Sequence, residues 1–219
     1  MNRFENNMTR RFGMMLTGNL FISICVGCYR LSGMGVDAFT CLNLGISGFI
    51  GMGFGTWQLI MNVFLFVFVI IFARGLIGAG TIVNMVCVGY IADFMCWLVL
   101  DTAEINMTFA LRIFMLLLGC LFSALGVAFY MEADMGLSPY DSVAPIIEKL
   151  SKNRIPFRNA RVIGDITSVV TGVIFCLAGR DSLAMIIGVG TVINACFNGP
   201  LIQFFRTHVS EPMLRAKAV

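Results

Sequence analysis

The sequence predicts an all-α integral membrane protein: six transmembrane helices forming two inverted three-helix repeats, each with a short interfacial or re-entrant helix after its first span. Three observations predict it. Of 219 residues, 58% are hydrophobic and only 12% are charged, about half the charged share of an ordinary soluble domain. The uncharged runs 12–29, 113–131 and 182–205 match the roughly 20 apolar residues that a helix needs to cross a bilayer. And one seven-residue phrase is written twice, GAGTIVN at 78–84 and GVGTVIN at 188–194.

The first span, 11–30, follows Arg3, Arg10 and Arg11 in the manner of a signal peptide. It is longer than a usual signal h-region and lacks a small-residue cleavage site behind it, so it reads as a retained helix. The stretch 35–54 carries no charge after Asp37, but it holds Gly45, Gly48, Gly51 and Gly53, and its counterpart in the second half contains Glu148, Lys149, Lys152 and Arg154. That reads as a short helix, because irregular backbone at membrane depth survives only where protein or water covers it. The remaining spans are expected at 55–73, 77–100, 110–131, 160–179 and 183–205.

Charge tests this count. With the N-terminus inside, the inner segments hold Arg3, Arg10, Arg11, Arg74, Lys149, Lys152, Arg154, Arg158, Arg161, Arg206, Arg215 and Lys217, and the outer ones only Arg30, Arg112 and Arg180. Retained Lys and Arg set orientation, so both termini are expected in the cytoplasm, the protein lying in the cytoplasmic (inner) membrane. An eight-span alternative leaves 149–161 harder to place.

The doubled phrase belongs to a longer collinear set. Tyr29 precedes Met34-Gly35 as Tyr130 precedes Met135-Gly136; Gly18 matches Gly119, Phe54 matches Phe157, Asn62 matches Asp165, and Gly89 follows its phrase as Gly199 does. The halves are therefore expected at 1–106 and 107–219, within one membrane domain. Three spans per half is an odd number, so the second half enters from the opposite side, the plan of many secondary transporters. The glycines permit close helix approach, Thr81 and Thr191 suit helix starts, and Asn84 and Asn194 lie on the same face one turn further in. Each Asn serves either an interhelical bond or solute contact.

MGVDAFT at 34–40 and MGLSPYDSV at 135–143 resemble the G-L-G-x-x-P-W-D elements of YczE/YitT-like bacterial multi-pass membrane proteins. The ending built on Gly188, Gly190, Thr191, Gly199 and Pro200 resembles theirs, over most of 12–205. The first copy departs from the pattern: Asp37-Ala38 stands for Ser138-Pro139, and Tyr90 for Pro200. The resemblance implies a bacterial cytoplasmic-membrane protein and no particular substrate.

Among polar residues Asp93 is the leading candidate for a functional acid. It sits inside the third span with no basic residue within a helical turn, and a buried acid in a membrane is a functional hypothesis by default; the alternatives are interhelical bonding or water in an outer vestibule. Its counterpart is Gln203. Asn62 is expected to face a cavity, whereas Asp165, four residues after Arg161, reads as a solvated i,i+4 pair. Ser138-Pro139 reads as a helix start with Asp141 against its positive end. Capping explains Asp37 and Asp141; the functional version has these starts, with Tyr140, pointing at a bound group. The candidate solute-binding set is thus Asp93, Asn62, Thr81, Asn84, Thr191, Asn194, Tyr140 and Asp141.

The eight cysteines fall mostly in apolar runs and read as packing; the CVGC of Cys25 and Cys28 has no second pair, and the single His208 argues against a metal site. No cofactor, catalytic set or nucleic-acid partner is expected. The implied function is a small-solute transporter with a polar site between the repeats. The alternatives are a channel, or an accessory protein supporting a biosynthetic or regulatory partner; an intramembrane enzyme needs a richer polar cluster. Membrane lipid and a small solute are the expected partners, with homo-oligomerisation open.

Overall fold

A computed structural model describes residues 2–179, 183 and 186–215; Arg180 and Lys217, two of the basic residues that set the expected orientation, lie outside them. The described residues are helical: α1 (Asn2–Ser32), α2 (Ala38–Ile50), α3 (Phe54–Phe72), α4 (Ala79–Trp97), α5 (Phe109–Ala133), α6 (Pro139–Leu150), α7 (Phe157–Gly179), α8 (Val189–Phe205) and α9 (Glu211–Arg215). A π-helical turn, Leu98–Thr102, extends α4, and another, Arg206–Ser210, joins α8 to α9. Five helices are long and apolar enough to cross a membrane: Met8–Ser32, Phe54–Phe72, Ala79–Thr102, Phe109–Ala133 and Asn159–Gly179. α8 begins at Val189 rather than 183 and has 17 residues. The chain is a multi-pass membrane protein, and its large exposed side chains, such as Phe64, Ile71, Val192 and Phe197, form the apolar outer surface.

Both short segments are helices, each started by a side chain. Asp37 accepts from the backbone N–H of Phe39 and Thr40, 3.1 and 3.0 Å, at the start of α2. Ser138 accepts from the N–H of Asp141, 3.1 Å, at the start of α6, where Pro139 fills the first turn. Such caps satisfy donors that no carbonyl inside the helix can reach. α2 stops at Gly51, whose left-handed φ of 69° costs a glycine little.

α1 and α5 cross at the centre. A Cβ at Gly18 would lie 2.7 Å from the Tyr130 nitrogen, and one at Gly119 would lie 2.8 Å from the Tyr29 ring. α2 lies against α7 of the other half through Gly45 and Gly172, and α3 meets α4 at Gly55 and Gly89. Small residues at each crossing bring backbones close enough for dispersion to replace the hydrophobic drive that lipid cannot supply.

Each copy of the doubled phrase is bonded to the loop after the first helix of the other half. Gly80 N–H donates to Met135 C=O, 2.8 Å, and Leu137 N–H to Leu76 C=O, 2.9 Å. Reciprocally, Gly190 N–H donates to Met34 C=O, 2.8 Å, and Val36 N–H to Ile186 C=O, 3.3 Å. Thr81 Oγ1 accepts from Gly78 N–H, 3.1 Å, and donates to Leu137 C=O, 2.8 Å. Thr191 Oγ1 accepts from Gly188 N–H, 3.4 Å, and donates to Ile186 C=O within its own half, 3.3 Å. The phrase is therefore a clasp, used twice.

Candidate functional site: a polar cavity between the halves

A cavity of about 620 Å³ lies among α1 to α8. The α2 and α6 starts reach it with Asp37, Thr40, Ser138, Tyr140 and Asp141; α3 and α4 add Gln58 and Asn84, and α7 and α8 add Arg161, Asp165, Thr191, Asn194 and Asn198. Another hollow, about 550 Å³, lies over the Gly78 clasp and is lined largely by loop residues. Only the first gathers charged side chains from the two short helices and the long ones.

Corresponding positions of the two halves meet there. Asp37 and Ser138 start their helices; Phe39 and Tyr140 stack, with ring centroids 4.5 Å apart. Thr40 stands where Asp141 stands, Gln58 where Arg161 stands, and Asn84 where Asn194 stands. The charges concentrate in the second half. Arg161 bridges two carboxylates, Nη1 to Asp141 at 2.6 Å and Nε to Asp165 at 3.3 Å, and its guanidinium carbon lies 4.9 Å from the Tyr140 ring centroid. Tyr140 O–H donates to Asp165, 2.6 Å, and lies 3.2 Å from the Ser168 hydroxyl. Hydrogen bonding to the neutral phenol, burial and the Asp165 charge all raise the Tyr140 pKa, burial most, so the hydroxyl stays protonated and serves as a donor.

In the first half Asp37 is held, among the described residues, by neutral donors: Thr40 Oγ1 at 2.6 Å and the two cap N–H groups. Gln58 is 4% exposed, and among the described residues its Oε1 has no hydrogen-bond partner and Asn194 Nδ2 has none either. Asn84 donates to Asn19 Oδ1, 2.8 Å, tying α4 to α1 at the cavity wall.

Of the eight candidates, Asn84, Thr191, Asn194, Tyr140 and Asp141 line this cavity. Thr81 is fully buried in its clasp. Asn62 does not reach the cavity; it is 1% exposed, and neither amide atom has a partner. The reading of Asp93 as an unpaired acid is corrected. Its Oδ1 lies 2.6 Å from Arg30 Nη1, and its Oδ2 accepts from Gly55 N–H, 2.6 Å. Arg30 in turn packs over Phe54, 4.4 Å from the ring centroid. Asp93 thus ties α1, α3 and α4 together outside the cavity. Its partner is remote in sequence, so a search within one helical turn cannot find it.

The residues missed from sequence are Asp165, Arg161 and Gln58. The i,i+4 pair Arg161–Asp165 is real, but Asp141 and Tyr140 join it at the cavity wall. The available signal was positional: Gln58 corresponds to Arg161 just as Asn62 corresponds to Asp165. Among the described residues no group of three His, Cys, Asp or Glu is placed to hold a metal ion.

The chain belongs to the family DUF6198, a family of unknown function, whose model matches residues 9–207. It is 26% identical over 197 residues to the uncharacterized protein YyaS of Bacillus subtilis (strain 168), covering 90% of this chain and 92% of that one. It is 25% identical over 172 residues to the uncharacterized membrane protein YczE of the same organism, covering 78% and 73%. These relatives agree with the YczE-like resemblance of the motifs. No solved structure matches.

Proposed function

We propose that this member of the DUF6198 family is a small-solute transporter of the secondary type, with the central cavity as its binding site. On this reading α8 is the sixth span, the halves 1–106 and 107–219 are inverted repeats, and both termini face the cytoplasm of a bacterial inner membrane. One observation carries the proposal: the cavity is walled by corresponding positions of both halves, including the two short-helix starts. Inverted-repeat transporters place their site at the repeat interface, at the ends of broken helices. The reciprocal clasps support the same symmetry, since each half completes the other's loop.

Two measurements test it. Reporter fusions after residues 52, 106 and 153 read the side of each connection; outside, outside and inside are expected, and an external 153 refutes the six-span arrangement. Purified protein in proteoliposomes, screened with radiolabelled amines, sugars and carboxylates, should give saturable flux that is lost in Arg161→Gln. Absence of flux, together with stoichiometric co-purification of another membrane or biosynthetic protein, refutes transport in favour of an accessory role.

A further inference from the structure

The charges around the cavity do not balance. Among the described residues Asp37, Asp141 and Asp165 line it against one basic side chain, Arg161. The helix starts of α2 and α6 each contribute about half a positive charge. With every carboxylate ionised, the walls therefore sum to about one negative charge. An anionic solute has little to bind: each helix start already faces a protein acceptor, and Arg161 is engaged by two carboxylates. Two of the unpartnered groups point the same way; the third, the donor Asn194 Nδ2, calls for an acceptor atom elsewhere on the solute. Asp37 has no Lys or Arg within ion-pair distance among the described residues. The buried Gln58 Oε1 is an acceptor without a donor, and leaving it so is costly. The rings of the Phe39–Tyr140 stack are of the kind that attracts cations; Arg161 already lies over Tyr140, 4.9 Å from its centroid, which leaves Phe39 for the solute.

We propose that the solute of this cavity carries a positive charge, as an organic ammonium does, and binds between Asp37 and the Asp165 side of the Arg161 cluster, in competition with a proton at Asp37. The inference rests on the transporter reading for its mechanism but is tested by binding alone. Burial, and then the charge of Asp165, raise the Asp37 pKa, against the lowering effect of the Thr40 hydrogen bonds. The ionisable groups facing Asp37 are Cys25 and Tyr29 of α1, Cys41 of its own helix, Tyr140 and Asp141 of α6, and Arg161 and Asp165 of α7. The sign follows: a cation needs Asp37 ionised, so its affinity is present above the raised pKa and is lost as pH falls through it.

The probes are tetramethylammonium, neopentanol and pivalate, which share one branched shape with positive, zero and negative charge. Binding to the full-length protein in detergent is followed by calorimetry across pH. Tetramethylammonium should bind more tightly than neopentanol, pivalate should not bind, and acidification should weaken the cation. Asp37→Asn should lower that affinity about tenfold or more and flatten its pH dependence, the effect of removing a charge within contact distance. Asn is as good a helix cap as Asp, so the variant should fold, and its melting temperature checks this. Equal behaviour of tetramethylammonium and neopentanol, including binding of neither, overturns the inference, as does tighter binding of pivalate. Cation binding without flux in proteoliposomes sustains this site and removes the transporter reading. Flux of a neutral or anionic solute without cation binding does the reverse.

Discussion

Gly78→Ala is a clean test of the clasp. The Gly78 backbone is extended, with φ of −151° and ψ of −173°, so alanine is tolerated and only the added methyl matters. That methyl would lie 2.6 Å from the Met135 carbonyl carbon and 2.9 Å from the Gly136 nitrogen. Both are backbone atoms that cannot rotate away. Ordinary contact begins near 3.4 Å, so the carbonyl carbon alone requires a retreat of about 0.8 Å and the still closer Met135 oxygen requires more, which takes a 2.8 Å hydrogen bond out of bonding range. The bonds at risk are Gly80 to Met135, Leu137 to Leu76 and Thr81 to Leu137. At about 1 kcal/mol each, the loss is about 2–3 kcal/mol, the scale of overpacking a tight site. Thermal unfolding in detergent should fall by roughly 4–12 °C for a chain of this size. Gly75→Ala is the control, because a Cβ there meets nothing within 4 Å. Equal melting temperatures for the two variants would refute the clasp.

Thr81→Val should cost more than Thr191→Val, because the Thr81 bonds are 3.1 and 2.8 Å and those of Thr191 are 3.4 and 3.3 Å; melting curves that rank them the other way would contradict this geometry. Asp93→Asn keeps an acceptor for Gly55 but strips Arg30 of its partner, so stability should fall by about 1–3 kcal/mol while solute binding stays unchanged. Lost binding at an unchanged melting temperature would return Asp93 to the site. Arg161→Lys cannot span Asp141 and Asp165 as a planar fork does, so solute binding should weaken about tenfold or more with normal expression, and full binding would remove the bridge from the site.

Local signals made most of the fold legible. Apolar run length located five spans to within a few residues, and glycine density with a charged counterpart separated α2 and α6 from them. α8 begins late because Gly188 and Gly190 are held against Met34, a constraint that hydropathy does not register. Contacts between distant segments were the illegible part. Both Met-Gly loops and both Gly-x-Gly-Thr phrases stand out in the sequence, but nothing local says that they bind crosswise. The acceptors are main-chain carbonyls, which have no side-chain signature. Asp93 was misread for a related reason: Arg30, 63 residues away, neutralises it. Asp165 was underrated because an i,i+4 pair satisfies a one-dimensional reading, whereas Asp141 and Tyr140 arrive from another helix.

The clasps also explain why two phrases so far apart are so alike. Gly35 and Gly136 have left-handed φ values of 100° and 101°, a region that L side chains rarely occupy. A Cβ on either would collide with the backbone nitrogen of Gly188 or Gly78, and a Cβ on Gly188 or Gly78 would collide with the Met34 or Met135 carbonyl. Each clasp therefore needs glycine on both sides, and the two clasps need the same phrase because they meet the same loop. The cavity carries no such constraint, and there the halves diverge: Thr40 and Gln58 line it from one, Asp141, Arg161 and Asp165 from the other, while Asn62, the counterpart of Asp165, stays outside it. On the proposed reading this division has a consequence. With a fully symmetric chain, the outward-open and inward-open states would be related by the two-fold rotation and equal in energy. Placing the charge triad in the second half, and Asp37 alone in the first, makes the two states differ. A proton or cation at Asp37 is then the means by which their populations shift, since a ligand moves such an equilibrium only by its differential affinity for the two states.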